Sequence, residues 1–390
     1  MGNILNKNKK KSLKKEKKIQ NTNADLNITE NKSFQKEKQI KSLNDFDGTT
    51  KKYIIEDLKI KEFKFLKNLV TDSYGSLFIG NIFITFISTN NIFFLIYSNQ
   101  KKSIISYDLI NFKKINEVKN AHNSMIANFN HYLDHNNNRD LILSISSIDN
   151  NIKIWNVNNF ECLLNIKKIN NNGFLDSACF LNYNNQIFII SSNANNIENI
   201  ERESIKIFDF KGKKIKELED SNEDTYFVDT YYDNKLSTIF IIVCCVNYSK
   251  SYDYKNNKLY HKYLDLYENK PRNIVINNSK EIVEIFESSY DGNLRIWNLH
   301  SGMLLKKIRV AYNTLLRGIC FLDNEIIFIG CDDKTIRLVN YKNGKIMHIF
   351  SNHIDRVVSI KIIIHQKYGQ CLLSQAAYLD PIKIWTIKSN

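Results

Sequence analysis

Apolar and polar residues alternate in one short phrase that the chain repeats. Residues 152–157 (IKIWNV), 205–210 (IKIFDF), 294–299 (LRIWNL), 336–341 (IRLVNY) and 382–387 (IKIWTI) share it. Each sets an exposed Lys or Arg between branched apolar residues, then a bulky residue, a polar one and an apolar one. Alternation of period two describes a strand with one face in a core, and the bulky position fills the space against the neighbouring sheet. Residues 104–109 (IISYDL) and 249–254 (SKSYDY) are weaker copies. The bulky slots are then Tyr107, Trp155, Phe208, Tyr252, Trp297, Val339 and Trp385, spaced by 48, 53, 44, 45, 42 and 46 residues. That period suits a unit of four short strands repeated around an axis.

Other marks recur in phase with the slots. Asp149, Asp291 and Asp333 each stand six residues before a slot, placed to hold the tight turn into the strand. After the slot comes a hairpin signal, 211–213 (KGK), 256–257 (NN), 301–302 (SG) and 343–344 (NG), where Gly and Asn supply positive φ. Ala121-His122 and Asn352-His353 precede Trp155 and Trp385, the two His by 33 and 32 residues.

In these features residues 73–390 resemble the WD-repeat family, whose units each form a four-stranded propeller blade. The resemblance implies an all-β, seven-bladed propeller of antiparallel blades. It also implies that His122, Asp149 and Trp155, with Ser147 as the strand hydroxyl, form a structural hydrogen-bond network. His353, Asp291, Trp297, Asp333 and Trp385 are repeat residues in the same sense. The chain departs from the family pattern in several places: the repeats around Phe208 and Tyr252 lack the turn Asp, Val339 replaces Trp, and Asp380 stands five residues before Trp385.

The last repeat ends just after Ile387 with three strands, and an uncovered sheet edge invites unwanted pairing. The family commonly covers that edge with an N-terminal strand, and the apolar run from Ile60 to Val70 is placed to do so. The domain reading is thus a propeller over 53–390 preceded by a disordered tail over 1–50, rich in Lys, Asn, Gln and Glu. Two long connections stand out: Asn193 to Glu203, between the second and third strands of a blade, and His131 to Asp140, between a first and a second. Family geometry puts them on opposite faces.

Composition changes this picture little. The net charge is +14, but more than half of the surplus lies in the first 72 residues, so charge does not demand a nucleic-acid footprint on the folded body. The seven Cys sit mostly in apolar runs, without a C-x-x-C pair, and read as buried thiols of a reducing compartment. The apolar stretch from Leu77 to Ser98 is broken by Asn81 and by 88–91 (STNN), which makes two successive strands of it rather than a membrane helix. The lysine-rich start lacks the apolar core of a secretory signal.

Catalytic motifs are missing: no phosphate-binding loop, nucleophile elbow, H-E-x-x-H or dinucleotide fingerprint occurs, and the eight His are scattered. Residues 315–318 (LLRG) approach a phosphoinositide-binding signature of some autophagy propellers, but Leu316 replaces an Arg and the segment reads as strand. The most specific functional feature is the start, 1–6 (MGNILN), close to a myristoylation signal on Gly2 although Asn6 stands where Ser or Thr is wanted. Lys7, Lys9, Lys10, Lys11, Lys14, Lys15, Lys17 and Lys18 follow, against Glu16 alone. One acyl chain binds a membrane marginally, and each basic residue near an anionic leaflet adds about 1 kcal/mol, so the two together make a stable anchor. Ser12, inside the cluster, is a candidate phosphorylation switch for that attraction. The other reading is a chance Gly2 before a solvated tail, or a basic nuclear or RNA-binding arm.

The sequence therefore describes a non-enzymatic scaffold with protein partners on its faces and loops, no cofactor, no metal and no small-molecule substrate. It is cytoplasmic and membrane-tethered in the first reading. In the second it is a soluble subunit of a nuclear or ribonucleoprotein assembly whose tail touches RNA.

Overall fold

The computed structural model describes residues 43–44, 51–53, 60–75, 81–100, 102–170, 173–194, 203–266, 269–278 and 281–389. Residues 1–42, with Gly2 and the lysine cluster, lie outside them, as do 195–202 of the longest connection. The chain divides into two compact units, 65–388 and 1–64 with 389–390. In the smaller one Leu43–Asn44 pairs antiparallel with Lys51–Tyr53, which pairs in turn with Ile60–Val70 at Lys52↔Lys64 and Tyr53↔Phe63.

The larger unit is a ring of seven four-stranded antiparallel sheets. Blades one to six cover residues 83–118, 126–166, 178–217, 225–263, 271–309 and 316–351. Blade seven is built from Val357–His365, Gly369–Ala376 and Ile382–Ser389, and the strand Ile60–Val70 gives it, from Phe65 onward, a fourth, outermost strand. The chain thus closes the ring with its own early segment. Phe65 meets Trp385 edge-on at 5.3 Å between ring centres. In every blade the slot residue lies on the third strand, from the axis outward.

Both faces of each blade are covered, and the slot explains how. Trp155 packs among Phe94, Ile96 and Ile104 of blade one, Trp297 among Phe240 and Ile242 of blade four, and Val339 beside Phe286 of blade five. Each slot residue therefore fills the gap toward the preceding blade. The innermost strands also approach closely: a Cβ on Gly318 would lie 2.9 Å from the carbonyl oxygen of Val358 in the next blade, so that glycine admits the neighbouring backbone. The 315–318 segment opens the strand Leu316–Phe321, with Arg317 buried and paired to Asp332.

The apolar stretch after residue 80 resolves into the strands Phe83–Ile87 and Phe93–Ser98 on either side of a turn. No helix among the described residues is long and apolar enough to cross a membrane. Two expectations need correction. The connection read from His131 to Asp140 is shorter, because strand Ile126–Asp134 and strand Arg139–Ser146 extend into it and leave only the turn His135–Asn137 and Asn138. Asp134 holds that turn, accepting from Asn137 and from Arg139 Nε at 2.9 Å. The thiols are buried or half-buried except Cys162, which is exposed on an outermost strand.

Ring closure yields the first prediction. Deleting residues 55–75 should leave the chain insoluble, whereas deleting 1–45 should leave a soluble protein with an unchanged melting temperature. Equal solubility of the two truncations would contradict the closure.

Candidate functional site

The residues singled out by the repeat converge on small polar joints between blades. Blade seven shows the full form. His353 Nδ1 lies 2.8 Å from Asp380 Oδ2, His353 Nε2 lies 2.8 Å from Ser374 Oγ, and Trp385 Nε1 donates to the same Ser374 Oγ at 2.9 Å. The carboxylate on Nδ1 fixes the proton there, so Nε2 accepts from the Ser374 hydroxyl, and each buried donor finds an acceptor. Burial lowers the His353 pKa, consistent with a neutral ring. Burial works to raise the Asp380 carboxyl, but hydrogen bonds from His353 and Lys383 hold it below its ordinary value. The shorter spacing from Asp380 to Trp385 does not break the joint.

Blade two repeats most of it. His122 Nε2 and Trp155 Nε1 both lie 2.8 Å from Ser144 Oγ. The hydroxyl expected in this network was Ser147; that residue instead donates to Asp176 at 3.0 Å. Register explains the difference. Ser144 pairs with Lys153, two residues from Trp155 and on its face of the sheet, whereas Ser147 lies past the end of the strand. Asp149 accepts from the backbone N–H groups of Asn123 and Ser124 at 2.8 Å each, leaving His122 Nδ1 without a partner. Burial, with Lys153 nearby, drives the His122 pKa down to about 3.

Blade five keeps the positions and changes the chemistry. Asp265 stands 32 residues before Trp297, where blade seven has His353 before Trp385. Glu287 pairs with Arg295 as Ser374 pairs with Lys383, so a carboxyl takes the place of the hydroxyl. Arg295, fully buried, donates to Asp265 Oδ2 at 3.0 Å, to Asp291 Oδ2 at 2.7 Å and to Ser289 Oγ at 2.9 Å. Trp297 Nε1 has no hydrogen-bond partner. In blade six Asp333 Oδ2 pairs with Arg337 at 2.5 Å beside Val339, which carries no indole N–H.

The basic residue two places before the slot was expected to be exposed in the five clear copies, at Lys153, Lys206, Arg295, Arg337 and Lys383, and the structure corrects this. Lys206, Lys250, Arg295 and Lys383 are buried, and Lys153 and Arg337 are half-buried. Each shares the slot's side of the strand and points toward the preceding blade. Lys153 Nζ donates to the Ala121 carbonyl at 2.6 Å, Lys206 to Ile169 at 2.5 Å, Lys250 to Asp220 at 2.8 Å and Lys383 to Asn352 at 2.6 Å. Arg337 likewise donates to the Val310 carbonyl. These carbonyls all lie in the connection entering the blade, so the cation ties that loop down. The signal was present: only blade one, with Ile105, lacks a Lys or Arg there, and its parity matches the slot.

The polar residue after the slot has its own task. In blades one to six its side-chain oxygen accepts a backbone N–H two residues on: Ile110 to Asp108 at 2.8 Å, Asn158 to Asn156 at 3.1 Å and Lys211 to Asp209 at 2.9 Å. Lys255 to Asp253 at 2.9 Å, His300 to Asn298 at 2.8 Å and Lys342 to Asn340 at 3.0 Å complete the set. A residue of positive φ follows in each, Gly212, Gly302 and Gly344 among them. This side-chain mimic of a backbone turn shapes the hairpin to the outermost strand.

The two faces of the ring differ in what they expose. The face carrying the turns between second and third strands, with the entering loops, presents Tyr290 and Tyr312. There the Arg272 guanidinium lies over Tyr226 at 4.4 Å and Tyr290 at 5.9 Å, and Arg309 lies over Tyr312 at 5.5 Å. Burial lifts the nearby Asp176 carboxyl to about 6. On the opposite face His131 stacks on Phe86 and meets Asp140 at 2.8 Å, and His300 meets Asp233 at 3.0 Å. Asp140 also accepts from the Thr89 backbone and hydroxyl, so this His–Asp pair is a turn anchor. No group of three His, Cys, Asp or Glu among the described residues is arranged to hold a metal ion.

No family model matches the chain. A stretch of 103 residues, 26% of this chain, is 21% identical to Autophagy-related protein 16 of Arabidopsis thaliana. The chain spans 20% of that relative's length.

The joints predict a test. Ser374→Ala removes one hydroxyl and strands both His353 Nε2 and Trp385 Nε1, so it should cost about 2–3 kcal/mol in chemical unfolding. Ser147→Ala, outside the Trp155 network, should cost less than Ser144→Ala.

Proposed function

We propose that this chain is a non-enzymatic interaction scaffold, a divergent WD-repeat propeller over residues 53–390. In this reading the first eighteen residues tether it to the cytoplasmic face of an anionic membrane through myristate on Gly2 and eight lysines. One observation carries the scaffold part. The residues best suited to chemistry, His122, His353, Asp149, Asp291 and Asp380, are engaged in holding blades and turns together, while loop residues such as Tyr290, Tyr312 and Leu379 are exposed. A rigid ring with surface loops offers several binding faces and needs no reactive centre. The short match to a part of Autophagy-related protein 16 agrees with this coarse reading.

The tether rests on the sequence of the tail. A myristoyl chain supplies marginal membrane affinity and the lysines supply the second signal. The protein partners are then those that must meet at a membrane surface.

The experiment is metabolic labelling with a myristate analogue, combined with membrane fractionation of intact chain and Gly2→Ala. Intact chain should be labelled and sediment with membranes, and Gly2→Ala should be unlabelled and released. A Gly2→Ala protein that stays on membranes, or an unlabelled intact chain, would overturn the tether. Binding that ignores Gly2, needs only the lysines, falls with salt and is abolished by ribonuclease would favour an RNA-associated subunit instead.

A further inference from the structure

We propose that Glu287 is a proton-controlled joint of blade five, tight when its carboxyl carries a proton and loosened when it is ionised. It thereby sets how firmly the segments 264–266 and 290–292 are held on one face of the ring. The inference is independent of the tether and of any partner.

The geometry begins with an imbalance. Three carboxyls, Asp265, Asp291 and Glu287, surround the guanidinium of Arg295, and the first two take its direct hydrogen bonds. Asp265 gains a second cation from Lys307 Nζ at 2.6 Å. Burial works to raise its pKa, but Lys307, the Leu266 N–H and Arg295 together hold it down to about 2. Glu287 is fully buried and meets only hydroxyls, Ser249 Oγ of blade four at 2.7 Å and Ser289 Oγ at 3.3 Å. Ser289 Oγ accepts from Arg295, so its own proton is free to point at Glu287. Two further groups act on or with this carboxyl: Asp291, which opposes its ionisation, and the buried Cys244 thiol of blade four. Arg272 acts on that thiol from the innermost strand of blade five.

A buried carboxylate without a cation of its own is costly, and neutralisation by a proton is the cheaper state. Burial, outweighing Ser249, Arg295 and Ser289, lifts Glu287 from its ordinary 4.5 to about 7. The folded form therefore holds the proton more tightly than the unfolded one. The stabilisation from that proton is complete below the unfolded value and is lost as pH rises through the folded one. An ionised Glu287 then competes for Arg295, which ties Asp265 in the entering loop to Asp291 in the turn before the third strand. The proton is in this way linked to both segments.

The test uses the full chain and Glu287→Gln, which keeps the shape and stays neutral. Between about pH 5.5 and about pH 8.5 the folding equilibrium of intact chain should fall relative to the variant by on the order of tenfold or more. Asp176 and Asp229, whose burial lifts both to about 6, titrate in both proteins and drop out of the difference. Amide-exchange protection of 264–266 and 290–292 should fall with rising pH in intact chain only. Intact chain should also show an infrared protonated-carboxyl band that fades with rising pH and is absent in Glu287→Gln. Glu287→Ser, which installs the hydroxyl of blades two and seven, serves as a second variant should the amide not fold. Parallel stability curves for intact chain and variant, or a missing protonated-carboxyl band at the acid end, would overturn the proposal.

Discussion

A short sheet that is apolar on both faces cannot stand alone in water, and every other feature of this ring follows from that constraint. Burial is worth roughly 25 cal/mol per Å² of apolar surface, and each blade obtains it only from its neighbours. Trp155, Trp297 and Trp385 are the wedges that make the neighbour's surface fit. A ring satisfies the condition for every blade, a row leaves two faces bare, and closure is therefore part of the fold. The segment Phe65–Val70 meets the condition at the seam by giving blade seven its outermost strand.

Covering both faces creates a second problem, since polar backbone at the ends of the strands is also enclosed. The joints answer it. Ser374 links His353 to Trp385, Asp380 holds the other side of the His353 ring, and Lys383 adds a tie to the loop that enters the blade. Burying an ammonium group has a large desolvation cost, met by a carbonyl together with a carboxylate: Asp380 for Lys383, Glu223 for Lys250, Glu203 for Lys206. Such a joint holds only in one register, so it selects a single pairing of strands as well as binding loop to sheet.

The sheets were legible in the sequence because period two and a period near 45 both survive divergence. Phe208, Tyr252 and even Val339 can occupy the slot, since what the slot needs is bulk toward the preceding blade. The closing strand was legible as an apolar run that no blade claimed. What stayed hidden was which face of a strand meets what. Alternation alone made Lys153 and Lys206 look solvated, because a lysine between isoleucines usually marks an outer face; in a ring the slot's face is buried as well, and these lysines share it. Ser144 stayed hidden behind Ser147 for a related reason. The stretch 144–147 (SISS) offers several hydroxyls, and only pairing with Lys153 reveals the one on the tryptophan's side. The lysine-rich start carries no alternation from which a strand could be read.

The joints also show which part of the repeat recurs most widely in this ring. The indole, the histidine and the hydroxyl occur together in blades two and seven only, yet the cation two places before the slot recurs in every blade from two to seven. It is the cation that reaches the preceding connection, so its loss would free a loop, whereas the loss of a hydroxyl leaves a void or an unpaired indole N–H such as that of Trp297. Blade five follows from this order of importance. With Arg295 in place the loop is held, and the hydroxyl's position is open to a carboxyl that draws on the same guanidinium. An Asp at the histidine's place completes a charged set in which anions outnumber the buried cation. The proposed relief of that excess is a proton on Glu287, whose burial lifts its carboxyl to about 7.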